Sequence, residues 1–154
     1  MAIGSDAMGM PCLFSMTEKK HIVFLGIGSN LGDKKKNIRE AVKRIEWSVG
    51  KVEKLSTLFY SKPWGFESSN DFVNVVARCC TSLTPKRLLK ETQKIEWDMG
   101  RTTKSVHAQY LDRIIDIDIL LYDDLHIDYP DLKIPHPLMT ERDFVIIPLK
   151  EVME

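Results

Sequence analysis

The 154-residue chain has 44% hydrophobic residues and balances 22 basic against 22 acidic side chains. One core of ordinary size is within reach, and no overall positive field favours non-specific nucleic-acid binding. No apolar run approaches the roughly 20 residues a membrane helix needs, so neither a nucleic-acid nor a membrane partner is expected, and a small charged ligand is the better candidate. Residues 1–20 hold four methionines, small residues and no periodicity, and they lack the layout of a signal peptide. They are expected to be a flexible tail or an added remnant ahead of a single domain at 21–154, working as a monomer in the cytoplasm. Cys12, Cys79 and Cys80 lack metal-ligand spacing and are expected to be reduced thiols.

In chain order, His21-Ile-Val-Phe-Leu-Gly-Ile-Gly28 is an apolar run ended by glycine, which suits a central strand entering a tight loop. Ile38, Ala41, Val42, Ile45 and Val49 recur at helical spacing, with Gly50 as the stop. Val52 to Tyr60 and Phe72 to Ser82 are predicted strands, separated by a long loop that carries Trp64. Long aromatic loops often bind a ligand. Thr84 with Pro85 opens a second helix whose buried stripe is Leu88, Thr92, Ile95 and Met99, leaving Gln93 and Glu96 on another face. Ile114 to Tyr122 alternates apolar with acidic residues as a two-faced strand does. The order strand, helix, two strands, helix, strand predicts an α+β fold, a ferredoxin-like α/β/α sandwich with a mainly antiparallel central sheet.

Arg113-Ile-Ile-Asp116-Ile-Asp118 is the segment with the most chemistry. A period of two puts both carboxylates on one strand face about 7 Å apart. Hard cations such as Mg²⁺ take one or two protein carboxylates and complete their shell with water and phosphate oxygens. Gly26-Ile-Gly28-Ser-Asn-Leu-Gly32 lacks both the Gly-Lys-Ser/Thr ending of a P-loop and the spacing of a dinucleotide loop. Its glycines are therefore read as turn residues that supply positive φ.

Taken together, Gly28-Ser-Asn-Leu-Gly32, Phe72-Val-Asn74, Gln93-x-x-Glu96-x-x-x-Gly100-Arg101, Arg113-x-x-Asp116-x-Asp118 and Pro135-His136-Pro137 closely resemble the hydroxymethyldihydropterin pyrophosphokinases, in order and spacing, from Ile22 to Val152. The resemblance implies a diphosphotransferase of folate biosynthesis that uses two Mg²⁺ ions, takes ATP as donor and 6-hydroxymethyl-7,8-dihydropterin as acceptor, and releases AMP. It further implies Asp116 and Asp118 as metal ligands, with Arg101 and Arg113 facing the phosphates as catalytic cations. Gln93, Glu96, Tyr110, Ile119, His136 and Arg142 match positions near the nucleotide. Asn74 matches a hydrogen-bonding position for the pterin, Phe72 and Phe144 match the aromatic pair that stacks on it, and Trp64 lies on the loop expected to close over it. Leu111-Asp112 departs from the Gly-Pro pair common in the family before the arginine.

Overall fold

The computed structural model describes residues 19–62, 71–100 and 114–153. The expectations at Trp64, Arg101, Tyr110 and Arg113, and those for residues 1–18, lie outside them. The elements are β1 (His21–Ser29), α1 (Lys34–Ser48), β2 (Gly50–Leu55), β3 (Phe59–Ser61), β4 (Phe72–Thr81), α2 (Pro85–Asp98), β5 (Asp116–Tyr122), β6 (Ile127–Tyr129), β7 (Leu132–Ile134) and α3 (Asp143–Val152). A 3-10 turn at Met139–Glu141 leads into α3.

The main sheet runs β2-β4-β1-β5, with β3 also pairing β4, and every pair is antiparallel. The predicted Val52–Tyr60 strand is thus two strands on one neighbour, interrupted at residues 56–58. Ser56 bridges the break, since its Oγ accepts from the Val76 amide at 2.9 Å. Strands β6 and β7 form a separate hairpin, and neither it nor α3 is signalled by the hydrophobic periodicity read above.

Alternation along the strands builds two cores. Val23, Leu25 and Ile27 of β1 and Val73, Val75 and Ala77 of β4 face α1 and α2, packing with Ile38, Ala41, Ile45, Leu88 and Ile95. On the opposite face, Phe24, Val76 and Leu120 pack against Val145, Leu149 and Val152 of α3. Each fully buried aliphatic side chain contributes about 1.5–3 kcal/mol, and the double burial makes an α/β/α sandwich with the ferredoxin-like element order expected. Thr84 caps α2 as predicted, accepting from the Arg87 amide at 3.3 Å. The stripe of α2 differs at one position: Glu96 is buried with Leu88, Thr92 and Ile95, four residues after Thr92 and so on the same helical face.

The alternation of β5 holds at first, Ile117 and Ile119 joining the first core while Asp116 and Asp118 take the α3 face. It then breaks. Phe24 stands opposite Leu121 and Leu25 opposite Ile119, which leaves Leu120 as a bulge. Leu120 and Leu121 both serve the α3 side, and Tyr122 returns to the other face, donating its hydroxyl to the Leu83 carbonyl at 2.5 Å.

The thiols separate by the same alternation. Cys79 is free, points into the first core, and is pushed up to about 12 by burial, with Glu46 and Glu53 adding to the shift. Cys80, the next residue along β4, is buried on the other face.

Gly50 is the stop after α1 that the sequence predicts, and it has a second part to play. Val49 is the last cap of α1, and Gly50 opens β2 opposite Thr81, where a Cβ would collide with the carbonyl oxygen of Cys80. Gly50→Ala must push the β2–β4 ladder apart, so it should destabilise the protein by about 1–3 kcal/mol or more. A urea midpoint that is unchanged would show that the ladder yields freely there.

Candidate functional site

On the α3 face, the register across three strands puts Asn74 of β4, Gly28 of β1 and Asp116 of β5 in one row, and Val76, Gly26 and Asp118 in the next. Gly26 and Gly28 lie within β1 itself, and of the three loop glycines only Gly32 has positive φ, at 69°. The turn reading is therefore corrected at both strand positions. What the site uses there is the missing side chain: a Cβ on Gly28 would collide with Asn74 Oδ1 and come within 3.6 Å of the Phe72 ring, while one on Gly26 would touch Leu120 at 3.5 Å. A strip of bare backbone thus separates the carboxamide of Asn74 from the carboxylates of β5.

Asn74 is 8% exposed. Its Nδ2 donates to Ser61 Oγ at 3.3 Å, which settles the amide with its oxygen over Gly28. Ser61 carries no motif in the sequence and is found only through the pairing of β3 with β4. At the near end of β4, Lys34 Nζ donates to the Asp71 carbonyl at 2.9 Å, tying the start of α1 to the residue before Phe72. Phe144 sits in the first turn of α3, half-buried against the second core. The buried Arg142 guanidinium lies 5.7 Å from the centre of its ring.

His136 reaches the carboxylates from the segment after β7. Its amide donates to the Leu120 carbonyl at 3.0 Å, and its Nε2 lies 4.0 Å from Asp118 Oδ2. Burial lowers the imidazole below its usual value, Arg142 lowers it further, and Asp116 opposes them. Asp116, Asp118, His136 and Arg142 therefore share one electrostatic neighbourhood. Beside them, a cleft of ≈ 270 Å³ opens along the outer edge of β5, lined by Leu89, Ile117, Asp118, Ile119, Lys133 and His136 among others. Ile119 and His136, two of the residues expected near a nucleotide, line this cleft together, and Leu89 and Lys133 join them from elements that carry no motif in the sequence. Gln93 is half-buried on α2 and does not line this cleft. Glu96 does not line it either, and its Oε2 instead accepts from the Ile117 amide at 2.7 Å.

Two carboxylates on one face, partly exposed and next to an open cleft, form a hard-oxygen donor set that fits a divalent cation whose remaining ligands are phosphate and water. Among the described residues no cluster of three or more His, Cys, Asp or Glu side chains forms a closed metal site. No helix among the described residues is long and apolar enough to cross a membrane.

Residues 24–154 match the family described as 7,8-dihydro-6-hydroxymethylpterin-pyrophosphokinase (HPPK). The chain belongs to the HPPK family. It is 44% identical over 132 residues to the 2-amino-4-hydroxy-6-hydroxymethyldihydropteridine pyrophosphokinase of Porphyromonas gingivalis, a match covering 85% of this chain and 90% of that one. With the enzyme of the same name from Aquifex aeolicus it shares 43% over 130 residues, 84% of this chain and 79% of the other. Among solved structures it resembles a Plasmodium falciparum HPPK-DHPS variant with SDX-DHP at a TM-score of 0.70 and 17% identity, over 90% of this chain and 43% of that longer one. The structural likeness confirms the fold. Family membership bears out the expectation of a pyrophosphokinase of folate biosynthesis that takes ATP as co-substrate.

The lowered His136 has a consequence for the HPPK chain without bound ions. Below about pH 6.5 the unfolded chain takes up a proton at this residue before the folded one does, so stability falls with pH there. The stabilisation from neutral His136 is complete above that value and is lost as the pH drops. Thermal melting between pH 5 and 7.5 should show this slope, and His136→Gln should flatten it.

Proposed function

We propose that the strip over Gly26 and Gly28 receives the pterin and that the β5 cleft receives ATP, so that the acceptor hydroxyl meets the β-phosphorus beside Asp116 and Asp118. The row Asn74–Gly28–Asp116 carries this reading. Two interstrand spacings separate its ends by roughly 10 Å, a distance suited to a two-ring heterocycle and its one-carbon arm. Asn74 offers a donor and an acceptor to the ring edge, and Phe72 and Phe144 supply aromatic faces on the same side of the sheet. A ring stacked between them gains about 0.5–1.5 kcal/mol per aromatic pair beyond the area it buries.

Asp116 and Asp118 would hold Mg²⁺, two ions in the fullest form of the proposal. Bound there, the metal would neutralise phosphate charge and orient the transferring group. The hydroxyl oxygen attacks the β-phosphorus in line and its proton is released to solvent, the bond to the α-phosphate oxygen breaks, and AMP leaves with that oxygen. His136, neutral at pH 7, can donate one hydrogen bond to a phosphate without adding a full charge beside Arg142. Arg142 supplies a fixed positive charge from the start of α3. Arg101 and Arg113 complete the cation set in this proposal, and Trp64 and Tyr110 cover the substrates and exclude water, which competes as acceptor. A monomer acting in the cytoplasm is the accompanying expectation.

Incubation with Mg-ATP and 6-hydroxymethyl-7,8-dihydropterin should yield AMP and the pterin diphosphate, with no AMP when the pterin is omitted. A hydrolase using the same aspartates would release nucleotide without acceptor. Asp116→Asn and Asp118→Asn should each keep the fold while turnover falls by roughly 10³-fold or more, the scale of several kcal/mol of lost charge stabilisation. Near-normal rates at limiting Mg²⁺ would defeat the metal assignment. Phe144→Ala should weaken pterin binding by up to roughly tenfold, with ATP affinity little changed. Fluorescence titration that finds pterin affinity intact would return Phe144 to a packing role.

A further inference from the structure

We infer that Glu96 is a positioning residue for the two aspartates, acting through the Ile117 amide, and is not itself a nucleotide contact. The inference rests on the reading of Asp116 and Asp118 as the metal-holding pair. Its starting point is a carboxylate that sequence pattern places on the outer side of α2 and the fold places inside, 5% exposed.

Among the described residues, strand β5 is the last strand of the main sheet and pairs only with β1. Successive residues of an antiparallel strand direct their backbone groups alternately toward the neighbour and away from it. Ile117 is the residue between the aspartates, and its amide goes to Glu96 on α2, so it projects from the open edge. Such an edge N–H must find an acceptor where water has poor access. A carboxylate acceptor makes a hydrogen bond about twice as strong as a neutral one, and the 2.7 Å separation is of that kind.

Leu88, Thr92 and Ile95 fix α2 in the first core, so the helix is a firm base for that bond. Further along the same edge, the Leu120 carbonyl is tied to the His136 amide. The Asp-bearing stretch is thus held on its inner side by β1 and on its outer side at Ile117 and Leu120. Both aspartates are immediate chain neighbours of Ile117, and a tilt of the strand at that point moves the two carboxylates together. Glu96 therefore sets the spacing and direction of the pair without touching what the pair binds.

The test compares Glu96→Ala, which removes the acceptor, with Glu96→Gln, which keeps an oxygen acceptor of the same reach and removes the charge. Three measurements serve it: amide exchange at Ile117, Mn²⁺ binding in the presence of a non-hydrolysable ATP analogue, and binding of that analogue in EDTA. In the alanine variant, Ile117 exchange should rise about tenfold or more and Mn²⁺ affinity should fall roughly 10–100-fold, the usual cost of losing a residue that orients a metal ligand. Analogue binding in EDTA should be unchanged, and glutamine should restore most of both losses. Glutamine as damaging as alanine, with Ile117 exchange unmoved and analogue binding in EDTA weakened, would make Glu96 a charged nucleotide contact and overturn the inference. Asp116→Asn separates the two readings. Normal Mn²⁺ affinity in that variant would defeat the metal assignment, while Ile117 exchange in the Glu96 variants still decides whether the strand is held from α2.

Discussion

The double antiparallel ladder of β1, with β4 on one side and β5 on the other, is the constraint on which the rest of this protein depends. A slip of one residue in either ladder would turn the partner strand over, because side chains alternate with a period of two. Asn74 or Asp116 would then face α1 and α2, and the hydrophobic residues between them would face α3. Both ladders are protected against such a slip by their apolar halves. Val23, Leu25 and Ile27 meet Val73, Val75, Ile117 and Ile119 in the first core, and each buried aliphatic residue adds to the cost of misregistration. The hydrophobic core thus positions polar groups on the opposite side of the same sheet.

The α3 face is organised around charge as well as shape. Two carboxylates stand near a buried guanidinium and an imidazole whose pKa burial and Arg142 both depress. A neutral imidazole there avoids a second positive charge in a poorly solvated place, where like charges are most costly. Thr57 and Glu151 secure the far end of α3 to the β2–β3 connection, with hydroxyl-to-carboxylate separations of 2.9 and 3.1 Å. Arg142 and Phe144 are therefore presented from a helix anchored at its other end. The bulge at Leu120 has a related effect, since it places two successive leucines under α3.

Much of the site was legible because the residues that carry it are constrained locally. Asp116 and Asp118 declare their shared face through strict alternation with isoleucine, and Thr84-Pro85 announces the start of α2. The glycines were misread for a physical reason: a glycine in a sequence signals either backbone freedom or an absent side chain, and only the neighbours across the sheet tell which. Gly26 and Gly28 are absences, with Leu120 and Asn74 occupying the space. Glu96 was misread in a similar way, because a helical face is judged outer or inner by its average hydropathy, and one carboxylate bonded to a strand edge does not alter that average.

The sequence by itself determined the family, the fold class and the strand that carries the carboxylate pair. All of these reside in short-range patterns, a period of two or of 3.6 residues and motifs a few positions long. Tertiary structure alone decided that Asn74 faces Asp116 across a bare Gly28, that Ser61 orients Asn74, that Leu89 and Lys133 wall the cleft, and that Glu96 secures Ile117. Each of those contacts joins residues whose separation along the chain is set by helices and loops of no fixed register. Their meeting depends on the pairing of whole strands and on burial from both faces, and local pattern carries no record of either.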